Sequence, residues 1–336
     1  MSRNIRWSLM WAVICGLSLS TYVAMAEDSA EKPAAITDAS KAGPDYAVQG
    51  EYIGEFNLGD GVDNKFGLQV ISLGDGKYQG VAYFGGLPGD GWDGFSKLPP
   101  TEGETAEGVV KLIAAEGSAE IKEGVVTIKT NDEQELGTMK KVDRKSPTEG
   151  EAPPEGAIVL FDGSSADAFD GGQLVESNLL AGGCKSKQKF KDFTLHLEFR
   201  TPYMPTAKGQ GRGNSGVYLQ NRYEVQVLDS FGLEGEDNEC GAIYSKKAPR
   251  ENMCYPPLCW QTYDIEFTAP KYEGDNKVKN AMVTVKHNGV VIHENVEIDG
   301  PTAGGAPESD EAGPIQLQDH GNPVVFRNIW IVEKKD

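Results

Sequence analysis

After residue 156 the chain runs as a series of short strand-like stretches, separated by turn residues and showing no helical period. The stretches are 157–161, 193–199, 216–220, 223–228, 241–244, 261–268, 281–287, 290–296, 315–318 and 324–332. Side chains on a strand point alternately to opposite faces, so a half-apolar strand hides its apolar face only by packing in a sheet. Many such strands without crossover helices predict an all-β fold, an antiparallel sandwich. His287-Asn288-Gly289-Val290 is a strong hairpin signal, because Asn-Gly suits the two left-handed positions of a type I′ turn. Long loops at 202–213, 232–239, 248–258 and 300–313 are of the kind that shape binding sites on a compact sandwich.

The segment 214–230, NSGVYLQNRYEVQVLDS, carries the richest chemistry. Two strands, 216–220 and 223–228, are joined by Asn221-Arg222. In the second, Tyr223, Val225 and Val227 form a core face, and Glu224, Gln226 and Leu228 form the other, followed by Asp229. An acid and an amide fixed on a rigid sheet suit a polyhydroxylated ligand. The same pattern also describes the solvated face of an ordinary amphipathic strand. Further on, Gln316, Gln318 and His320 share a strand face, and Arg327 lies between Phe326 and Asn328. A histidine at a strand end can act as base, acid or metal ligand, or cap its own turn.

Several chemistries are excluded. A net charge of -19 repels phosphate backbones, so nucleic acid is not an expected partner. Gly209-Gln-Gly211-Arg-Gly213 precedes a strand rather than a helix, which rules out a nucleotide loop. No Gly-x-Ser-x-Gly elbow is present among only four histidines. The alternate position after Glu224 is Gln226, which cannot ionise, and this opposes a paired-carboxylate glycosidase.

The 336 residues suggest roughly two domains. Residues 1–26 read as an export signal: Arg3 and Arg6, an apolar run 7–23, and the small-x-small site Ala24-Met25-Ala26. The expected location is secreted or periplasmic, with no membrane span in the mature chain. Residues 27–45 read as a disordered linker, 46–145 as a small accessory β-domain, and 146–155 as a stiff Pro/Glu linker. The sandwich domain is 156–336. Within the accessory domain, Trp92 sits in a glycine-rich loop and reads as a pin for that loop in preference to a sugar platform. Cys184, Cys240, Cys254 and Cys259 in an exported chain suggest two disulfides rather than a zinc site.

Ordered motifs add a resemblance. They are Leu160-Phe161-Asp162-Gly163, Glu198-Phe199-Arg200, Asn214-Ser215-Gly216-Val217-Tyr218, Tyr223-Glu224-Val225-Gln226, Gly241-Ala242-Ile243-Tyr244, Trp260-Gln261-Thr262-Tyr263, Leu317-Gln318-Asp319-His320-Gly321 and Phe326-Arg327-Asn328-Ile329. With them, residues 156–333 resemble the secreted 3-keto-disaccharide hydrolase domain family. The resemblance implies a concanavalin A-like jelly roll acting on sugars whose C3 is already a ketone. Such chemistry needs a base, an acid and an electrophile at the C3 oxygen, not two flanking carboxylates. On that basis Glu224 and His320 are assigned as base and acid, in either order. Asn214, Tyr218, Gln226 and Gln318 are assigned to substrate binding, and Arg327 to stabilising enolate charge. Asp229 is assigned to orient His320 or to help hold a divalent cation. The alternative is a non-catalytic carbohydrate-binding module, because jelly rolls host lectins as readily as enzymes.

Overall fold

The computed structural model describes residues 33–58 and 61–334. The expected export signal, 1–26, therefore lies outside the described residues. Among those described, no helix is long and apolar enough to cross a membrane. A short helix, α1 (Gly43–Val48), leads into β1 (Gly50–Asn57), β2 (Asp63–Gly74), β3 (Lys77–Phe84), β4 (Thr101–Ala106), β5 (Val109–Ala114), β6 (Gly117–Lys122), β7 (Val125–Thr130) and β8 (Glu135–Val142). Each strand pairs antiparallel with the next, and β8 closes on β1, so the accessory unit is an eight-stranded barrel. Three of its hairpins turn on Asp75-Gly76, Glu107-Gly108 and Glu123-Gly124. Both residues of each pair have positive φ, the geometry of a type I′ turn.

The described part of the first expected linker, 33–45, and the second, 146–155, are built into the fold. Within 27–45, Ile36 and Tyr203 exchange backbone hydrogen bonds at 3.0 and 2.9 Å. The Asp45 carboxylate accepts from the Gly76 amide and the Tyr78 hydroxyl, both at 2.9 Å, and so caps one barrel end. That segment is short of large apolar residues, but its order comes from hydrogen bonds rather than burial. The barrel flank carrying Ile71, Val81 and Tyr83 shares the core of the following domain. Arg144, just after β8, grips Glu51 through Nε at 2.7 Å and Nη2 at 2.5 Å, donates to the Pro88 carbonyl at 2.6 Å, and reaches across to the following domain with its guanidinium 5.0 Å from the Tyr255 ring.

The remaining strands are β9 (Ile158–Phe161), β10 (Phe169–Asp170), β11 (Leu174–Val175), β12 (Leu179–Ala181), β13 (Cys184–Phe190), β14 (Phe193–Arg200), β15 (Ser215–Leu219), β16 (Tyr223–Val227), β17 (Gln261–Thr268), β18 (Lys271–Glu273), β19 (Asn276–Lys279), β20 (Ala281–His287), β21 (Val290–Ile298), β22 (Gly313–Leu317) and β23 (Val325–Glu333). They form a five-stranded sheet, β10-β13-β22-β15-β16, a larger sheet, β11-β12-β23-β14-β17-β20-β21, with β9 pairing on β23, and a separate hairpin of β18 and β19. Their inner faces meet in one core that includes Leu195, Leu197, Phe199, Val217, Val225, Ile265, Ile315, Leu317 and Phe326. The all-β expectation holds, and so does the Asn288-Gly289 turn, with φ of 50° and 81°. Residues 241–244, expected as a strand, form only isolated bridges, one of them to Val225.

The disulfide expectation is corrected: Cys184, Cys240, Cys254 and Cys259 are all free. They pack as small apolar groups; the Cys240 sulfur lies 3.3 Å from the Tyr263 hydroxyl inside the core. Trp92 is a pin, its indole donating to the Ser96 carbonyl at 3.0 Å and meeting Tyr83 edge-on at 5.1 Å.

Candidate functional site

Register places the polar residues of the five-stranded sheet. Glu224 pairs with Tyr218, Tyr218 with Gln316, Gln316 with Lys185, and Lys185 with Asp170, one rung across all five strands. Residues directly opposite share a face, and Val217, Val225, Leu317 and Cys184 take the other face into the core. One step along, Gln226 pairs with Gly216, whose carbonyl accepts from the Gln318 amide at 2.8 Å. Asn214, Tyr218, Glu224, Gln226 and Gln318 therefore gather on one outer face, as their alternation predicts.

Glu224 is 3% exposed. Burial pushes its carboxyl up to about 7, against the opposing hydrogen bond from Tyr218. The Tyr218 hydroxyl lies 2.8 Å from Glu224 Oε2 and 2.9 Å from the Ala303 carbonyl. One phenolic proton serves one acceptor, so a protonated Glu224 donates to Tyr218 while Tyr218 donates to Ala303. Burial and the adjacent acid hold the phenol well above its ordinary range, which makes Tyr218 a donor and not a base. A group titrating near neutrality suits proton transfer in either direction.

The floor beside Glu224 is Gly216. A Cβ there would fall 2.1 Å from Glu224 Oε1, so only glycine lets the carboxylate lie over β15. Gly216→Ala is therefore expected to displace Glu224 and lower turnover about hundredfold, the usual cost of misplacing a reacting group by ~1 Å. Steady-state kinetics beside a thermal melt would check this; full turnover in the variant would remove Glu224 from the chemistry.

Loops wall the face. Thr302 Oγ1 accepts from the Glu224 amide at 2.9 Å. Arg222 secures this 300–312 strap, donating to the carbonyls of Pro307 at 3.0 Å and Glu311 at 2.9 Å. Gln210 Oε1 accepts from both Asn214 and Gln226 at 3.0 Å. Asn214 Oδ1 and Gln318 Oε1 are buried acceptors without partners among the described residues, on a face otherwise made of hydrogen-bonding groups.

The other assigned residues are placed differently. His320 is exposed, in the turn after β22. Extending the register sets it opposite Asn214, two strands and four residues from Glu224, or about 16 Å between backbones. The two side chains can flank a sugar-sized molecule but do not touch. Asp229 neither orients His320 nor is free to bind a cation: its Oδ2 accepts from Arg212 Nε at 2.7 Å, buried, which anchors the 207–213 loop.

Arg327 belongs to the other sheet. A bulge in β23 at Asn328, φ 46°, turns Arg327 and Asn328 outward together, onto Glu198 of β14. Arg327 Nε donates to Glu198 Oε2 at 2.6 Å, Nη2 to Glu149 at 2.9 Å, and the guanidinium stacks 3.8 Å from the Trp260 ring. His196 completes this cluster, its Nδ1 2.6 Å from Asp264 Oδ1 and its ring stacked on Trp330 at 4.9 Å. Residues 146–151, expected as a spacer, lie across the same surface: Ser146 and Thr262 hydroxyls are 2.6 Å apart, and the Gly150 amide donates to Glu198 at 2.6 Å. Glu151, His196 and Asp264 are the described residues close enough to share a metal ion, and they lie at this surface, His196 and Asp264 on the sheet and Glu151 in the segment across it.

Sequence reasoning missed Lys185. The stretch 184–190, CKSKQKF, is not among the expected strands, yet it is β13. Its signal was present: Cys184, Ser186 and Phe190 are buried, while Lys185, Lys187 and Lys189 are exposed.

These features define a two-sheet β-sandwich bearing a single buried, near-neutral carboxyl on an amide-lined face, with a barrel joined to its flank. Residues 156–332, more than half of the chain, match the 3-keto-alpha-glucoside-1,2-lyase-like domain, and the chain belongs to that family. A crystal structure of a candidate glycosyl hydrolase from Parabacteroides distasonis is 37% identical with TM-score 0.50, over 54% of this chain and 85% of that one. A second candidate glycosyl hydrolase from the same organism is 19% identical with TM-score 0.39, over 54% of this chain and 95% of its own. No curated protein matches.

Proposed function

We propose that this is an exported enzyme that cleaves 3-keto-glycosides on the outer face of the five-stranded sheet, within a concanavalin A-like jelly roll. The Glu224 carboxylate takes the C2 proton, and the C–H electron pair becomes the C2=C3 enolate with its charge on O3. Collapse of the enolate forms C1=C2 and expels the C1 oxygen substituent, which takes up a proton from solvent or from His320 at the open rim. Water then adds across C1=C2, oxygen to C1 and hydrogen to C2. Lys185, on the rung of Glu224, takes the part of stabilising the O3 charge that Arg327 is misplaced to play. Asn214, Gln226 and Gln318 bind sugar hydroxyls.

One observation carries this reading: a lone carboxyl titrating near 7. The other acid on its rung, Asp170, is four strands away, about 19 Å by strand spacing. A paired-carboxylate glycosidase keeps its acids within ~10 Å. The unpartnered Asn214 and Gln318 oxygens favour a sugar-binding module as the second reading. Incubation with a 3-keto-disaccharide in deuterated water separates the two. The enzyme exchanges C2–H and releases aglycone while ignoring the parent sugar; retention of unoxidised glycans without product would establish the binding module instead. Lys185→Met is expected to lower kcat at least tenfold with melting unchanged, and unchanged kcat would return the electrophile to another group.

A further inference from the structure

The barrel encloses a cavity of about 270 Å³ that the sugar-facing reading does not use. It lies toward the barrel end of the β3–β4, β5–β6 and β7–β8 connections, while Tyr52 and Tyr78 fill the interior toward α1. Its wall is apolar, with Leu68, Leu112 and Met139 beside the small side chains of Ala82 and Ala119; Leu112 packs directly on Gly80. Phe56 and Phe66 stack along one side at 4.3 Å, and Phe66 meets Phe84 edge-on at 5.6 Å. The charged residues of the lining are two. Glu116 is exposed, and Lys129 is held by Glu120 at 2.6 Å.

We infer that the barrel is a binding site for a small uncharged aromatic molecule of one or two rings, held inside the eight strands against the Phe56–Phe66–Phe84 wall. Eight-stranded barrels have room for one small ligand when their interior side chains are short. An apolar cavity of ~150 Å³ already takes up benzene, so this one accommodates a larger ring system. Ring edges and faces select aromatic partners by quadrupole complementarity. A charged ligand would find no buried counter-charge in the lining, which restricts the class to neutral molecules. The inference stands on the barrel alone and is independent of the chemistry at Glu224.

Fluorescence of 1-aminonaphthalene, a neutral two-ring probe, with the whole chain tests it. The expected result is saturable enhancement at one site per chain, displaced by indole better than by n-octanol. Ala119→Phe, which fills the cavity, is expected to weaken binding at least tenfold, and Ala82→Leu several-fold. Phe95→Ser, at the most exposed aromatic, is expected to leave it unchanged. Saturating indole should also raise the melting temperature of the unmutated protein, a readout that does not depend on any variant folding. Absence of both saturable enhancement and the indole shift would overturn the proposal. So would better displacement by n-octanol, loss of binding in Phe95→Ser, or undiminished binding in a folded Ala119→Phe.

Discussion

Glu224→Gln is expected to lower kcat/KM toward a 3-keto-disaccharide about a thousandfold, the scale of losing a positioned general base. The same change should stabilise the fold at alkaline pH. The folded carboxyl titrates at about 7, above its ordinary value of 4.5, so ionising it opposes folding. Stability is therefore lost as pH rises from 4.5 through 7, by up to about 3 kcal/mol once the group is fully ionised. Glutamine does not ionise, and it can still accept from Tyr218. Melting the variant and the unmutated protein at pH 5 and pH 8 should show a gap that opens only at the higher value. For the unmutated enzyme, kcat/KM should climb through pH 7 as the base ionises; a profile falling through 7 would make Glu224 the acid. C2–H exchange persisting in Glu224→Gln would end its role altogether.

Arg327→Met is expected to cost about 3 kcal/mol of stability while leaving C2–H exchange intact. Glu198 is fully buried, and losing one partner of a buried pair strands the other charge. The adjacent titrations set the pH window. Burial works against the charged forms of both residues. Asp264 and Glu198 nevertheless raise His196 to about 9, and His196, Asn328, the Gly150 amide and Arg327 lower Glu198 to about 2. The His196 contribution is complete below about 6.5 and disappears as pH rises through 9; that of Glu198 is complete above 4.5 and disappears as pH falls toward 2. Thermal melts across pH should show both limbs, and His196→Ala should flatten the alkaline one. Exchange lost in a folded Arg327→Met would restore Arg327 to the chemistry.

The contrast between these two residues shows what a sequence conveys. The Tyr223–Val227 strand announced its polar face, because a period of two is visible in five residues. The barrel was legible only in part. Runs such as Thr101–Ala106 and Glu135–Val142 are polar or glycine-rich, and their strand character comes from closing the ladder, not from propensity. Lys185 was missed for the same reason: lysine weighs against a strand locally, and pairing to Gln316 overrides it. The even number of cysteines said nothing of geometry: Cys240 and Cys254 are neighbours in the core, yet all four thiols are free.

By itself the sequence determined the all-β class, the Asn288-Gly289 hairpin, and the alternation that gathers Asn214, Tyr218, Glu224, Gln226 and Gln318 on one face. It also carried the family motifs. Only the tertiary structure decided that β22 joins the sheet of Glu224 while β23, a few residues later, crosses to the other and takes Arg327 with it. It alone turned residues 146–151 from a spacer into a cover. The reason is physical: alternation fixes which way a side chain points from its own strand. The choice of sheet is made by hydrogen bonds between residues far apart in the chain, and no local pattern encodes them.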